Sequence, residues 1–219
     1  MSSSCKRCTH DAVTDDAYTA TCSQLRGIAE SLLAGPQYRA TGTIRLAVRP
    51  AGFVGTALPI EVQGTDFTWP DGRIALSGPL SVVEQATGLT FGPPEGVYTV
   101  VDPLPADAVL DLDPAAATDV YRSLYAGGQA LVAFAPGEHP VLWPEHFDVS
   151  VALDEVNYGV SPGDSFHDRP YAYVGPWQPR AGEFWNAPFG AATPLDLALA
   201  EDELADGIIA FFERGRELV

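Results

Sequence analysis

Between Thr43 and Leu76 the chain strings together extended segments so closely spaced that no crossover helix fits between them, and this spacing constrains the fold more than any other feature. Thr43 to Val48 alternates, with Ile44, Leu46 and Val48 on one face and Thr43, Arg45 and Ala47 on the other, the period of a half-buried strand. Phe53 to Val62, Asp66 to Trp69 and Arg73 to Leu76 follow, joined by Gly-Thr-Asp and Pro-Asp-Gly turns. The pattern predicts an antiparallel meander.

Helical periods flank it. Tyr18, Cys22, Leu25, Ala29 and Leu32 recur at helical spacing, and Gly35-Pro36 reads as the stop. Gly78-Pro79 opens a short helix that closes at Gly88, and Asp113-Pro114 caps a long one running to about Phe134, with Gly127-Gly128 as a kink or break. Thr193-Pro194 introduces a C-terminal helical region whose apolar face is Leu204, Ile208, Phe211 and Phe212. Pro93 to Leu112 reads as loop, with extended structure around Val97 to Val101. The expected class is α+β, a mainly antiparallel sheet with about four helices packed on it. Residues 1–16 read as a disordered tail and 17–219 as a single domain.

Charge narrows the partners. With 29 acidic and 12 basic residues the net charge is −17, which repels phosphate backbones and anionic lipid, so neither nucleic acid nor membrane is an expected partner. The N-terminus lacks the apolar region of a signal peptide and no apolar run is long enough to span a bilayer, which leads us to expect a cytoplasmic protein. One lysine stands against 11 arginines, a bias typical of GC-rich genomes.

Candidate chemistry is concentrated between His139 and Asn186, which hold three of the four histidines and three of the four tryptophans. Read as one strand, Val141 to Leu153 puts Val141, Trp143, Phe147, Val149, Val151 and Leu153 on one face, with Glu145 among them, and His146, Asp148 and Ser150 on the other. A carboxylate among aromatic rings loses hydration and its pKa rises, so Glu145 or His146 is the candidate acid/base catalyst, with Asp148 as orienter. Against this, Pro144 would disturb the alternation and turn Glu145 to solvent. Ser150 has no nucleophile elbow around it. Asn157-Tyr158-Gly159 and Ser161-Pro162-Gly163-Asp164 read as turns. Trp143, Asn157, Tyr158, Asp164, Tyr171, Tyr173, Trp177, Trp185 and Asn186 are the candidate walls of a ligand pocket, although the same aromatics could instead cement a loop.

Metal signals are weak. His146, Asp148, Asp164 and His167 would make a mixed nitrogen and oxygen set if the chain brought them together, and Cys5-x-x-Cys8 with His10 is half of a zinc pattern. No ligand spacing supports either, so no metal residues are assigned, and the absence of any nucleotide signature leaves the cofactor unknown.

The blocks WPEHFDVSVALDEVNYGVSPGD, PYAYVGPW and FWNAPFG, with AGPQYRATGTIRL nearer the N-terminus, resemble a group of uncharacterised actinobacterial hypothetical proteins over most of residues 17–215. The WPEHFD block with a later SPGD and the PYAYV strand is similar to a broader family of unknown function. The resemblance implies one intact domain and supplies no activity, cofactor or residue role.

The expected function is therefore small-molecule binding in an aromatic-walled pocket, in one version with acid/base catalysis. Two other classes stay open: a protein-interaction or structural domain, and a metal-dependent hydrolase. Homo-oligomerisation is equally open.

Overall fold

The computed structural model describes residues 14–101 and 103–219. The Cys5-x-x-Cys8 and His10 pattern lies outside them, as does most of the expected tail. The tail's last residues instead start a helix. Thr14 caps α1 (Asp15–Ile28) by accepting from the Ala17 amide at 3.3 Å, and Asp15 and Asp16 place negative charge where the helix dipole favours it.

Gly35-Pro36 does not stop this helix. A π-helical turn (Ala29–Ala34) carries the chain into α2 (Gly35–Thr41), which ends at Gly42 in the left-handed conformation. In the π turn Gly35 donates to the Glu30 carbonyl five residues back, and the next donor in that register would be Pro36, which has no N–H. The Ser31 carbonyl so released accepts instead from the Gly92 amide at 3.0 Å. A side chain at position 35 would put its Cβ 1.7 Å from the Gly92 carbonyl oxygen, so the glycine is what lets the two backbones meet.

The expected meander forms and extends further than the sequence pattern indicated, but Phe53 to Val62 is not one extended segment: it folds back so that Phe53 pairs with Val62. The strands are β1 (Leu46–Arg49), β2 (Gly52–Gly55), β3 (Glu61–Gln63), β4 (Asp66–Trp69), β5 (Gly72–Ala75), β8 (Val141–Trp143), β9 (Asp148–Leu153), β10 (Val156–Ser161), β11 (Tyr171–Pro176) and β12 (Ala191–Pro194). They make one ten-stranded antiparallel sheet in the order β12-β11-β10-β9-β8-β1-β2-β3-β4-β5. It is two five-stranded meanders joined where Leu46 pairs with Leu142. β6 (Ser77–Pro79) and β7 (Val109–Asp111) form a separate ribbon, so the extended structure of the 93–112 loop falls at Val109 to Asp111 rather than Val97 to Val101. α3 (Leu80–Thr87) follows β6 and closes at Gly88, as expected.

α4 (Pro114–Phe134) is capped by Asp113, whose carboxylate accepts from the Ala115 and Ala116 amides at 3.0 and 2.8 Å. It is unbroken at Gly127-Gly128. Those glycines face the sheet instead: a Cβ at 127 would lie 2.6 Å from Val160 Cβ, and one at 128 would lie 2.7 Å from Val48 Cγ2. The helix backbone thus lies almost directly on β1, β9 and β10. α5 (Glu201–Leu218) packs on α4 and β11, with Gly215 against Val174. It begins later than Thr193-Pro194, which finish β12. α1 also packs on α4, so the helices bury one face of the β8–β11 leaf around Leu142, Val149, Tyr158, Val160 and Val174. The other face is left open.

Candidate functional site

Val141 to Leu153 is a hairpin rather than one strand. Pro144 cannot donate to a ladder, and the chain reverses over Pro144 to Phe147, with the Phe147 amide donating to the Trp143 carbonyl at 2.7 Å and Phe147 itself at φ 52°. Trp143 is thereby paired with Asp148 and Val141 with Ser150. Glu145 consequently leaves the apolar face: it sits in the turn, its carbonyl accepting from Arg26 Nη2 at 2.7 Å and its carboxylate 3.6 Å from His146 Nε2. Phe147 points inward, edge-on to Phe53.

The next reversal occurs at Asp154-Glu155, both with positive φ (51° and 62°), a two-residue hairpin built without glycine. Asn157-Tyr158-Gly159, expected as a turn, is instead the middle of β10. The strand period then sorts the side chains. Val151, Tyr158 and Val174 are in register and face the helices, whereas Trp143, Asp148, Ser150, Asn157, Ser161, Tyr171 and Tyr173 share the open face.

On that face lie two adjoining hollows of about 480 and 590 Å³, both bordered by His146, Asp148, Asn157 and Tyr173. The first extends toward Trp143, Glu145, Arg45, Glu138 and His139. The second extends toward Asp164, Tyr171, Phe166, Trp177 and Phe189. Together they form one aromatic-walled cleft, with Asp148 at its centre.

Asp148 is 5% exposed. Burial is the main cause that pushes its carboxyl up to about 6, and nearby Glu145 adds to this; the Tyr173 hydroxyl, the His146 ring and its own amide act in the opposite sense. Tyr173 donates to Oδ2, whereas Oδ1 is buried with no hydrogen-bond partner. Tyr173 reaches across from β11 because the strand between them presents Gly159, where a Cβ would stand 2.5 Å from the phenol oxygen. Burial and the neighbouring carboxylate hold the Tyr173 phenol well above its ordinary range, so it remains a donor. Tyr171 repeats the device, donating to Asp164 Oδ2 at 2.7 Å, and Asp164 Oδ1 in turn accepts from the Phe166 amide at 2.8 Å. Two tyrosine-carboxylate pairs thus line the cleft side by side, their rings 6.4 Å apart.

Of the predicted site residues, Trp143, Glu145, His146, Asp148, Asn157, Asp164, Tyr171, Tyr173 and Trp177 border the cleft. Tyr158 does not: it is on the helical face, packed on Phe134 and Phe212. Trp185 stacks edge-on to Phe184, and Asn186 uses its amide to hold the Ala192 backbone at 2.9 and 3.0 Å, both away from the cleft lining. Roles also shift, since Asp148 takes the dehydrated position expected for Glu145 while the His146 side chain is 71% exposed. Gly159 and Phe166 were missed; a glycine inside a β-rich stretch is the signal that something crosses closely above it. Among the described residues no three His, Cys, Asp or Glu side chains gather where they could hold a metal, so His146, Asp148, Asp164 and His167 do not form the set considered above. No helix among them is long and apolar enough to cross a membrane.

Comparison with protein-family models, curated proteins and solved structures finds no match to this chain.

Proposed function

We propose that the protein is a cytosolic small-molecule-binding protein whose ligand occupies the cleft on the open face of β8–β11, and that Asp148 serves there as an acid/base group. One observation carries the reading: a buried carboxylate with an unsatisfied oxygen sits at the floor of a cleft walled by aromatic rings. Burying a carboxylate in this way costs stability that simple packing would not require, and such groups are concentrated at functional sites. A carboxyl that exchanges its proton near pH 6 is suited to proton transfer close to neutrality, with Tyr173 as its hydrogen-bonded partner and the Glu145–His146 pair at the rim. The net charge of −17 disfavours polyanionic ligands.

A screen of neutral, cationic and anionic fragments by NMR tests this. Ligands should perturb Asn157 and Tyr173 together with Trp143 or Trp177, and hits that cluster elsewhere, or none at millimolar concentration, would overturn the reading. A second reading, a protein-interaction domain, draws on the exposure of Phe166, Trp177 and Phe189 at one end of the cleft. It predicts that substituting these residues abolishes a self-association or partner complex while no fragment enters the cleft.

A further inference from the structure

The half of the cleft beyond Asp148 has a composition that selects among ligands. The three aromatic side chains that are substantially exposed among the described residues, Phe166, Trp177 and Phe189, at 43, 60 and 37%, all border this one hollow. Tyr171 and Tyr173 complete the wall. Phe189 lies nearly parallel to Tyr171 at 6.4 Å between centroids and edge-on to Tyr173 at 6.1 Å, so ring faces and edges are fixed relative to one another without filling the space. The charged groups bordering it are carboxylates, Asp148 and Asp164, with His146 the sole nitrogen base and no lysine or arginine. Both carboxylates have a tyrosine hydroxyl on one oxygen, and Asp148 Oδ1 has no donor at all.

Aromatic faces carry negative charge density, and a dehydrated carboxylate with no lysine or arginine bordering the same hollow adds its charge behind them. An anion would meet repulsion from both, and a neutral ligand would leave the carboxylates uncompensated. An organic cation satisfies both at once. Resting on the small-molecule reading above, we infer that this half of the cleft binds an organic ammonium group, its charge held over the Tyr171, Tyr173 and Trp177 rings and against Asp148 and Asp164. The same chemistry accommodates a primary amine or a quaternary ammonium.

The full chain is titrated at low ionic strength with choline, with ethanolamine, and with 3,3-dimethylbutan-1-ol, the uncharged isostere of choline, following Trp and Tyr resonances. At least one of the two cations should bind in the cleft, and choline should do so roughly tenfold more tightly than its isostere if the quaternary group is preferred. Trp177→Leu, at a mostly exposed position where the fold is not at stake, should weaken the cation severalfold and weaken the isostere clearly less. Equal binding of choline, ethanolamine and the neutral isostere at this site would overturn the cation assignment while leaving the cleft as a ligand site. Neutral or anionic fragments entering where neither cation does would have the same meaning. If no compound of any charge reaches the cleft, both readings fail together.

Discussion

At the residue scale the Asp148–Tyr173 pair makes predictions that do not need the ligand. An unfolded aspartate releases its proton near 3.8, whereas Asp148 in the fold holds it to about 6. Between those values the native state binds more protons than the unfolded one, so this group's contribution to stability is complete below pH 3.8 and is lost as the pH rises through about 6. Asp148→Asn, which keeps an acceptor for Tyr173 but cannot ionise, should be more stable than the wild type at about pH 8 by on the order of 1–3 kcal/mol, and the difference should vanish near pH 4. Urea denaturation at the two pH values measures it. Gly159→Ala acts on the other partner: the new methyl occupies the path of the phenol, so Tyr173 must swing away and leave Asp148 without its donor. We expect a loss of about 1–3 kcal/mol in chemical denaturation, together with a further rise of the Asp148 titration midpoint followed by carboxyl NMR. Asp148, Tyr171 and Tyr173 could be named from sequence because they lie in alternating segments. Tyr158 was misassigned because its face depends on where the hairpin turns, and two acidic residues in the left-handed conformation, Asp154 and Glu155, carry no glycine or asparagine to mark the place.

At the scale of the element, glycine and proline proved the least transparent residues. Gly35-Pro36 reads as punctuation, yet the missing Pro36 N–H frees a carbonyl that a distant segment satisfies through Gly92, and no local rule announces a partner that far along the chain. Gly35→Ala should therefore destabilise more than helix propensity alone would suggest. Its Cβ confronts backbone that has no rotamer to yield, and the Ser31–Gly92 bond is lost with it, so a cost of about 2 kcal/mol or more is expected in thermal or urea unfolding. Gly127-Gly128 misled in the same way, because small residues that look like a helix break are what let α4 settle on Val48 and Val160. Where a signal was self-contained, as with the Asp113 cap, Gly88 after α3 and the strands at Leu46, Asp66 and Gly72, sequence and structure agree; Phe53 to Val62 did not behave so, because its two ends turn back and pair with each other.

For the molecule as a whole, charge sets the response to solution conditions. A net charge of −17 spread over a chain of this size repels itself, and the repulsion is stronger where the Debye length is long. Raising ionic strength from about 0.01 to about 0.15 M, which shortens that length from about 30 to about 8 Å, should raise the melting temperature measured by calorimetry. The same salt should weaken any cation held in the cleft, so stability and affinity should move in opposite directions.

The junction at Leu46 and Leu142 has its own consequence. Each leaf of the sheet is a run of neighbours in sequence that can zip locally, but the two can meet only after the chain between them has been gathered in, so we expect this contact to carry the larger closure entropy and to form after the leaves. Arg45, one residue before the junction on the first leaf, stands over the Trp143 ring of the second at 5.8 Å, so the cleft's near wall is complete only once the leaves have docked. Any breathing of that seam would be felt first as a change in the width of the hollow beside it.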